Sequence, residues 1–122
     1  MKINTLLVYR IVTVLFSLSM LAGAAQYVFT YDVAQEMFNA LGFPTYIIYP
    51  LGAAKVLGVI AIWTNISPRL KEWAYAGYTF NFLLAGLAHL SVGDGQFWGA
   101  LIALILSSSS YFLYRKLEAQ KA

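Results

Sequence analysis

PTYIIYPLGAAKVLGVIAIWTNI, residues 44–66, is the stretch on which the reading of the fold turns. At 1.5 Å per residue a helix of this length crosses ~30 Å of hydrocarbon. Its one charge is Lys55, eleven residues past Pro44. That places Lys55 about 16 Å down the axis, about half of a ~30 Å core. Charge at that depth is costly and is ordinarily retained with a partner or for a purpose. Pro44 suits a first helical turn, where its missing N–H is no loss. Pro50 is expected to free the Tyr46 carbonyl and kink the helix above Lys55. Gly52, Ala54 and Gly58 leave room beside the lysine for a backbone or a ligand.

Working outward, charge-poor stretches recur at 6–28, 73–90 and 97–114. The whole chain is 61% hydrophobic and only 11% charged, against roughly a quarter charged in soluble domains. Four spans consume nearly all of the 122 residues. The expectation is an all-α, transmembrane four-helix up-down bundle forming a single membrane domain, 1–122.

The net charge of +3 follows topology and excludes a nucleic-acid patch. Lys2 and Arg10 begin the first span, Arg69 and Lys71 lie between the second and third, and Arg115, Lys116 and Lys121 follow the fourth. The other two connections hold Asp32, Glu36 and Asp94 without Lys or Arg. The positive-inside rule then puts both termini in the cytoplasm. Ala22-Gly-Ala24 resembles a signal-peptidase site, but Arg10 interrupts the apolar stretch before it, so cleavage is not expected.

In the first span, Arg10 is close enough to the end for its guanidinium to reach the headgroups. Ser19 and Gly23 form a small pair suited to helix contact. Residues 30–42 are too short and polar to span. Asp32 with Gln35 has capping-box spacing, and Val33, Met37 and Leu41 recur every four residues before Gly42. A short amphipathic helix on the outer face is expected there, with an interfacial loop as the alternative. Residues 65–72 read as a cytoplasmic loop, with the third helix opening at Trp73. Along that helix Ala74, Tyr78, Asn81, Ala85 and His89 fall within roughly 80° of arc. Gly93, Asp94 and Gly95 mark a tight outer turn. Gly95, Gly99, Ala103 and Ser107 form a small-residue face on the fourth helix, and Ser107 to Ser110 are expected to bond back to helix carbonyls.

Lys55, Asn81, Tyr78 and His89 are therefore the candidate lining of a pocket between helices two and three. His89 and Asp94 are placed at its mouth, with Tyr49, Gln26 and Tyr27 nearby. Gly52, Gly58, Gly95, Gly99 and Ala103 are packing candidates. The plainer alternatives are a Lys55 that pairs with Asn81, a carbonyl or water to fix two helices, and a His89 bonded to Asp94 at the interface. No carboxylate is expected at the depth of Lys55. The absence of cysteine excludes thiol chemistry. One histidine with scattered carboxylates is no metal set, and no phosphate loop, nucleophile elbow or carboxylate pair occurs.

Several of these landmarks resemble the DoxX-like family of small bacterial membrane proteins. They are Leu41-Gly42-Phe43-Pro44, Lys55-Val56-Leu57-Gly58, the block from Pro68 through Trp73 to Gly77, and His89-Leu90-Ser91-Val92-Gly93-Asp94. The resemblance implies a multi-pass protein of the bacterial inner membrane. The wider DoxX/DoxD group includes subunits associated with quinone-linked sulfur oxidation and oxidative-stress systems. By that analogy alone a quinone is the implied cofactor. A single histidine cannot give bis-histidine haem ligation within one protomer.

Three functions follow as expectations. The first is a component binding a small apolar or anionic ligand at Lys55, quinone-linked by the family analogy and not by a motif. The second is a small dimeric transporter of a neutral or anionic solute. The third is a non-catalytic subunit, assembled as a homo-oligomer or into a larger membrane complex through the glycine face. Catalysis by this chain alone is the least supported.

Overall fold

A computed structural model describes residues 4–121, so Lys2, counted above among the basic residues, lies outside the described residues. The described chain is five α-helices and one 3-10 turn. Helix α1 (Thr5–Phe29) starts at Asn4, whose side chain accepts the Leu6 N–H at 3.0 Å. It ends at Thr30, which donates its hydroxyl to the Gln26 carbonyl at 2.9 Å. The chain then turns straight into α2 (Tyr31–Leu41), which Gly42 closes at a φ of 84°. That left-handed conformation suits glycine, which has no Cβ to clash.

The short outer helix thus forms, but with two corrections. Its N-cap is Thr30 and no side-chain cap is made, so Asp32 and Gln35 do not build the expected capping box. Its buried face is Ala34 (0% exposed) and Phe38, not Val33, which is 52% exposed. The tight turn at Thr30 rotates the helix by about one residue (about 100°), and Met37 and Leu41 become the walls of a cavity instead.

Pro44 precedes a 3-10 turn, Thr45–Ile47, and α3 (Ile48–Thr64) begins only there. The expected kink at Pro50 is thereby avoided: Pro50 falls in the first α-helical turn, where an N–H has no partner to lose. The third helix also starts earlier than expected. Ser67 caps α4 (Pro68–Val92) by accepting the Leu70 N–H at 3.3 Å, with Pro68 as its first residue. The connection shrinks, and Arg69, Lys71 and Glu72 become helical. Pro68 opens a helix where a loop was expected. Helix α5 (Phe97–Gln120) continues past the expected end at 114, and its Arg115 binds Glu72 on α4 at 3.2 Å.

Helix α1 packs on α3 and α5, and α4 packs on the same two. A main core of Phe16, Met20, Ile62, Tyr75, Tyr78 and Phe82 fills the centre. A smaller one of Tyr27, Ala34, Phe38 and Ile48 seats α2. The outside is apolar: Leu15, Leu18, Phe80, Leu84, Leu87, Ile102, Ile105 and Phe112 are all exposed. The inside holds Thr13, Ser17, Lys55, Lys71, Ser107 and Ser110. Apolar surface around a partly polar interior is the arrangement that a bilayer, not water, stabilises. The segments Thr5–Phe29, Thr45–Thr64 and Phe97–Gln120 are long and apolar enough to cross one. Helix α4 is as long as α1, at 25 residues, but less apolar.

Candidate functional site

Lys55 is 8% exposed and lies ten residues beyond Thr45, about 15 Å along the axis. Its Nζ donates to the Tyr27 hydroxyl at 2.9 Å and stands 4.6 Å from the centre of that ring. Gly23 makes this possible, since a Cβ there would lie 3.2 Å from Nζ. Gly52 performs a similar service for the ring itself, with a Cβ falling 3.3 Å from Tyr27 Cδ2. Lys55 is therefore paired across α1 and α3, and its hydrogen bond does not go to Asn81. An ammonium carries three N–H donors, so two remain uncommitted to any described residue.

Tyr78 on α4 donates its hydroxyl to the Lys55 backbone carbonyl at 2.5 Å. It reaches the α3 backbone only because residue 58 is glycine: a Cβ at Gly58 would sit 2.7 Å from Tyr78 Cζ. Tyr78 thus fixes the helix that carries the lysine.

Two hollows meet at this point. A groove of about 650 Å³ runs between α3 and α4, along Ala54, Gly58, Ala74, Gly77 and Tyr78. A chamber of about 260 Å³ lies under α2, walled by Tyr27, Met37, Phe38 and Leu41 and reaching His89. Leu51, Lys55 and Asn81 line both. The groove is mostly apolar; of its polar lining residues, Lys55 and Asn81 also line the chamber, whereas Ser67 and Tyr78 line the groove alone.

Of the expected pocket residues, Lys55, Asn81 and His89 are brought to one chamber, and Tyr78 to the adjoining groove. Asp94 is not in the chamber wall, but its carboxylate accepts from His89 Nδ1 at 2.8 Å. The Gln96 backbone N–H, then His89, holds the Asp94 carboxyl below the ordinary carboxylate range. Tyr49 and Gln26 lie elsewhere: Tyr49 is exposed and stacked on Tyr31 with centroids 5.0 Å apart, and Gln26 is exposed. Gly99 has nothing within 4 Å of the position a Cβ would take, Gly95 is a turn residue with a φ of 74°, and Ala103 is in the core.

Sequence reasoning turned the apolar side of α2 inward over the bundle but did not name Met37, Phe38 and Leu41 as pocket walls, because an amphipathic period does not say which neighbour its apolar face meets. It also read Ser110 as bonding to its own helix. Ser110 instead joins Thr13 at 2.6 Å and Tyr75 at 2.7 Å, tying α1, α4 and α5 together.

No curated protein and no solved structure matches the sequence. A family model does, over residues 11–110. That match takes in α2 to α4 entire, most of α1 and more than half of α5, including both hollows and every residue that joins them, and the chain belongs to the DoxX-like family.

Proposed function

We propose that the chain is a four-span, single-domain protein of the bacterial inner membrane, with both termini cytoplasmic, that binds a lipophilic molecule at Lys55. The ligand class is one with a carbonyl-bearing or anionic head and an apolar body. The carrying observation is that Lys55 and Asn81 are the polar residues shared by an apolar groove and the chamber under α2. A head at that junction would accept from the uncommitted Lys55 N–H donors and from the Asn81 amide. The body would lie along Ala54, Gly58 and Gly77, where missing side chains leave space and lipid tails have access.

A quinone fits this donor set, since its ring carbonyls accept hydrogen bonds and its tail is apolar. When bound it would supply two-electron, two-proton redox chemistry. This chain's own part is to hold the head: Lys55 and Asn81 donate to it, Tyr78 keeps α3 in place, and α2 excludes water from above. Nothing in this arrangement gives the chain a reaction to perform by itself.

The test is to purify the protein in mild detergent and identify co-purifying lipophilic molecules by mass spectrometry, beside Lys55→Leu. Loss of a charge-assisted hydrogen bond is worth ~1.5–3 kcal/mol, so retention should fall by about tenfold or more. Folding should survive, because replacing a buried charge and its demands with a hydrocarbon is often neutral or stabilising. Equal retention by both proteins would reject the site.

A further inference from the structure

The opposite end of the molecule holds a second buried lysine. Lys71 is 4% exposed and donates to Asn65 Oδ1 at 2.8 Å. Its Nζ also lies 4.2 Å from the centre of the Tyr114 ring and 5.5 Å from that of Tyr9. Asn65 presents its side chain from a left-handed backbone, φ 53°, a conformation that asparagine tolerates better than most residues. The charge is thus solvated by an amide oxygen and two π-faces, and no described carboxylate lies within ion-pair distance.

A cavity of about 470 Å³ opens beside it, lined by Arg10, Trp63, Lys71, Glu118 and Lys121 among others. The one carboxylate there among the described residues, Glu118, is engaged by Lys121 at 3.0 Å. The other carboxylates are no help. Glu72 is held by Arg115, and Asp32, Glu36 and Asp94 belong to the far end. Three cations against one anion leave the cavity with an excess of two positive charges. It lies where α1 starts, α3 ends, α4 starts and α5 ends, which is the level of the headgroups if these helices span. Basic pockets between membrane helices at that level are suited to phosphate-bearing headgroups.

We propose that this cavity binds a phosphate group through Lys71, Arg10 and Lys121, at a site separate from Lys55. The group can arrive on the headgroup of an anionic lipid or as a soluble phosphate, and both present the same oxygens to these cations. Tyr9, Tyr114 and Asn65 hold the Lys71 ammonium in position before the anion arrives.

The full chain in detergent is offered phosphatidylglycerol and, separately, phosphatidylcholine of the same acyl chains, and bound lipid is counted by native mass spectrometry. Titration with inorganic phosphate forms a second arm. The wild type should prefer phosphatidylglycerol, and Arg10→Gln and Lys71→Gln should each reduce that preference about fivefold. That factor corresponds to ~1 kcal/mol per basic residue. Lys116→Gln, exposed and outside the cavity, should keep the preference. Phosphate binding without lipid preference, lost in the same two variants, supports the proposal with a soluble source. Arg10→Gln decides the matter if Lys71→Gln does not fold, since Arg10 is exposed. The proposal is overturned by equal retention of the two lipids with no phosphate binding, by an unchanged Arg10→Gln, or by a loss in Lys116→Gln as large as in Arg10→Gln.

Discussion

Lys55 and Lys71 are both buried, both without a carboxylate partner, and both beside tyrosine. Their surroundings nevertheless differ in kind. Around Lys71 the neighbours are large and close in: two tyrosine rings and an asparagine in a left-handed backbone whose amide oxygen accepts from the ammonium. Around Lys55 the neighbours are small. Gly23 makes room for its Nζ, Gly52 for its tyrosine partner and Gly58 for Tyr78, and beyond them the groove stays open. Lys71 also sits in the first turn of α4, where other cations gather, whereas Lys55 is about 15 Å along its helix beside a mostly apolar groove. Equal burial therefore conceals two designs. One cages a cation near the surface, and the other exposes a deep cation to a space.

The sharpest way to break this comparison is to fill the space. Gly58→Ala should drive Tyr78 off the Lys55 carbonyl, because the added Cβ cannot coexist with the phenol ring where it stands. Overpacking of this kind costs ~1–3 kcal/mol, and the lost hydrogen bond adds ~0.6 kcal/mol, the average for such bonds in membrane helices. Gly77→Ala is the matched control, since a Cβ there meets nothing within 4 Å. It should be neutral or stabilising by up to ~1 kcal/mol through helix propensity. Unfolding titrations in mixed detergent and SDS micelles measure both. If the two variants are equally stable, Tyr78 is not held by the absence of a side chain at 58, and the packing argument for the Lys55 site fails.

Much of the Lys55 region was legible in the sequence, and little of the Lys71 region was. A lysine in the middle of 44–66 is anomalous against its own neighbours, and the polar stripe of Tyr78, Asn81 and His89 follows from helical period alone. Composition likewise suffices for an all-helical, membrane-compatible chain. What period cannot supply is a partner on another helix. Tyr27 reads as an aromatic near the pocket's mouth, not as the lysine's partner, until α1 is packed on α3, and Ser110 looks like a helix back-bonder until Thr13 and Tyr75 meet it. Lys71 was hidden by ordinary context. Between Arg69 and Glu72, near Pro68, it reads as a loop charge, because Pro can end a helix or begin one. The deciding signal was Ser67: a capping residue directly before Pro68 favours a beginning, and it then turns Lys71 inward.

The caged lysine yields a second, smaller prediction, in which backbone and side chain are separated. Asn65→Gly keeps the left-handed conformation without strain but removes the acceptor of the Lys71 bond. Asn65→Ala removes the acceptor and adds a Cβ to an unfavourable backbone. The first should cost ~1.5 kcal/mol, the low end for a hydrogen bond to a charged group. The second should cost ~1 kcal/mol more, from the backbone strain. Neither should alter retention of a ligand at Lys55. A glycine variant as stable as the wild type would mean that the two tyrosine rings suffice for Lys71, and that the asparagine is kept only for its backbone.

The smallest effect belongs to the tether at the far end of the open site. Asp94 accepts from His89 Nδ1 and from the Gln96 N–H, and its carboxyl is held below the ordinary range, by the backbone donor first and the histidine second. A carboxylate whose value is lowered by folding stabilises the fold above its unfolded value, about 3.9, and that contribution fades as pH falls through the folded value. Asp94→Asn should therefore be slightly less stable than the wild type from pH 8 down to about 4, and the two melting temperatures should converge in stronger acid. Melting scans across that range test the sign: a gap that widens as the acid strengthens would show that the carboxylate is not the stabilising form. Because Asp94 holds His89 without lining the chamber itself, the same variant separates orientation from contact. Ligand retention should weaken in Asp94→Asn far less than in Lys55→Leu, and the phosphatidylglycerol preference at Lys71 should not change. A loss at Lys55 matching that of Lys55→Leu would instead move the centre of the site from the lysine to the histidine.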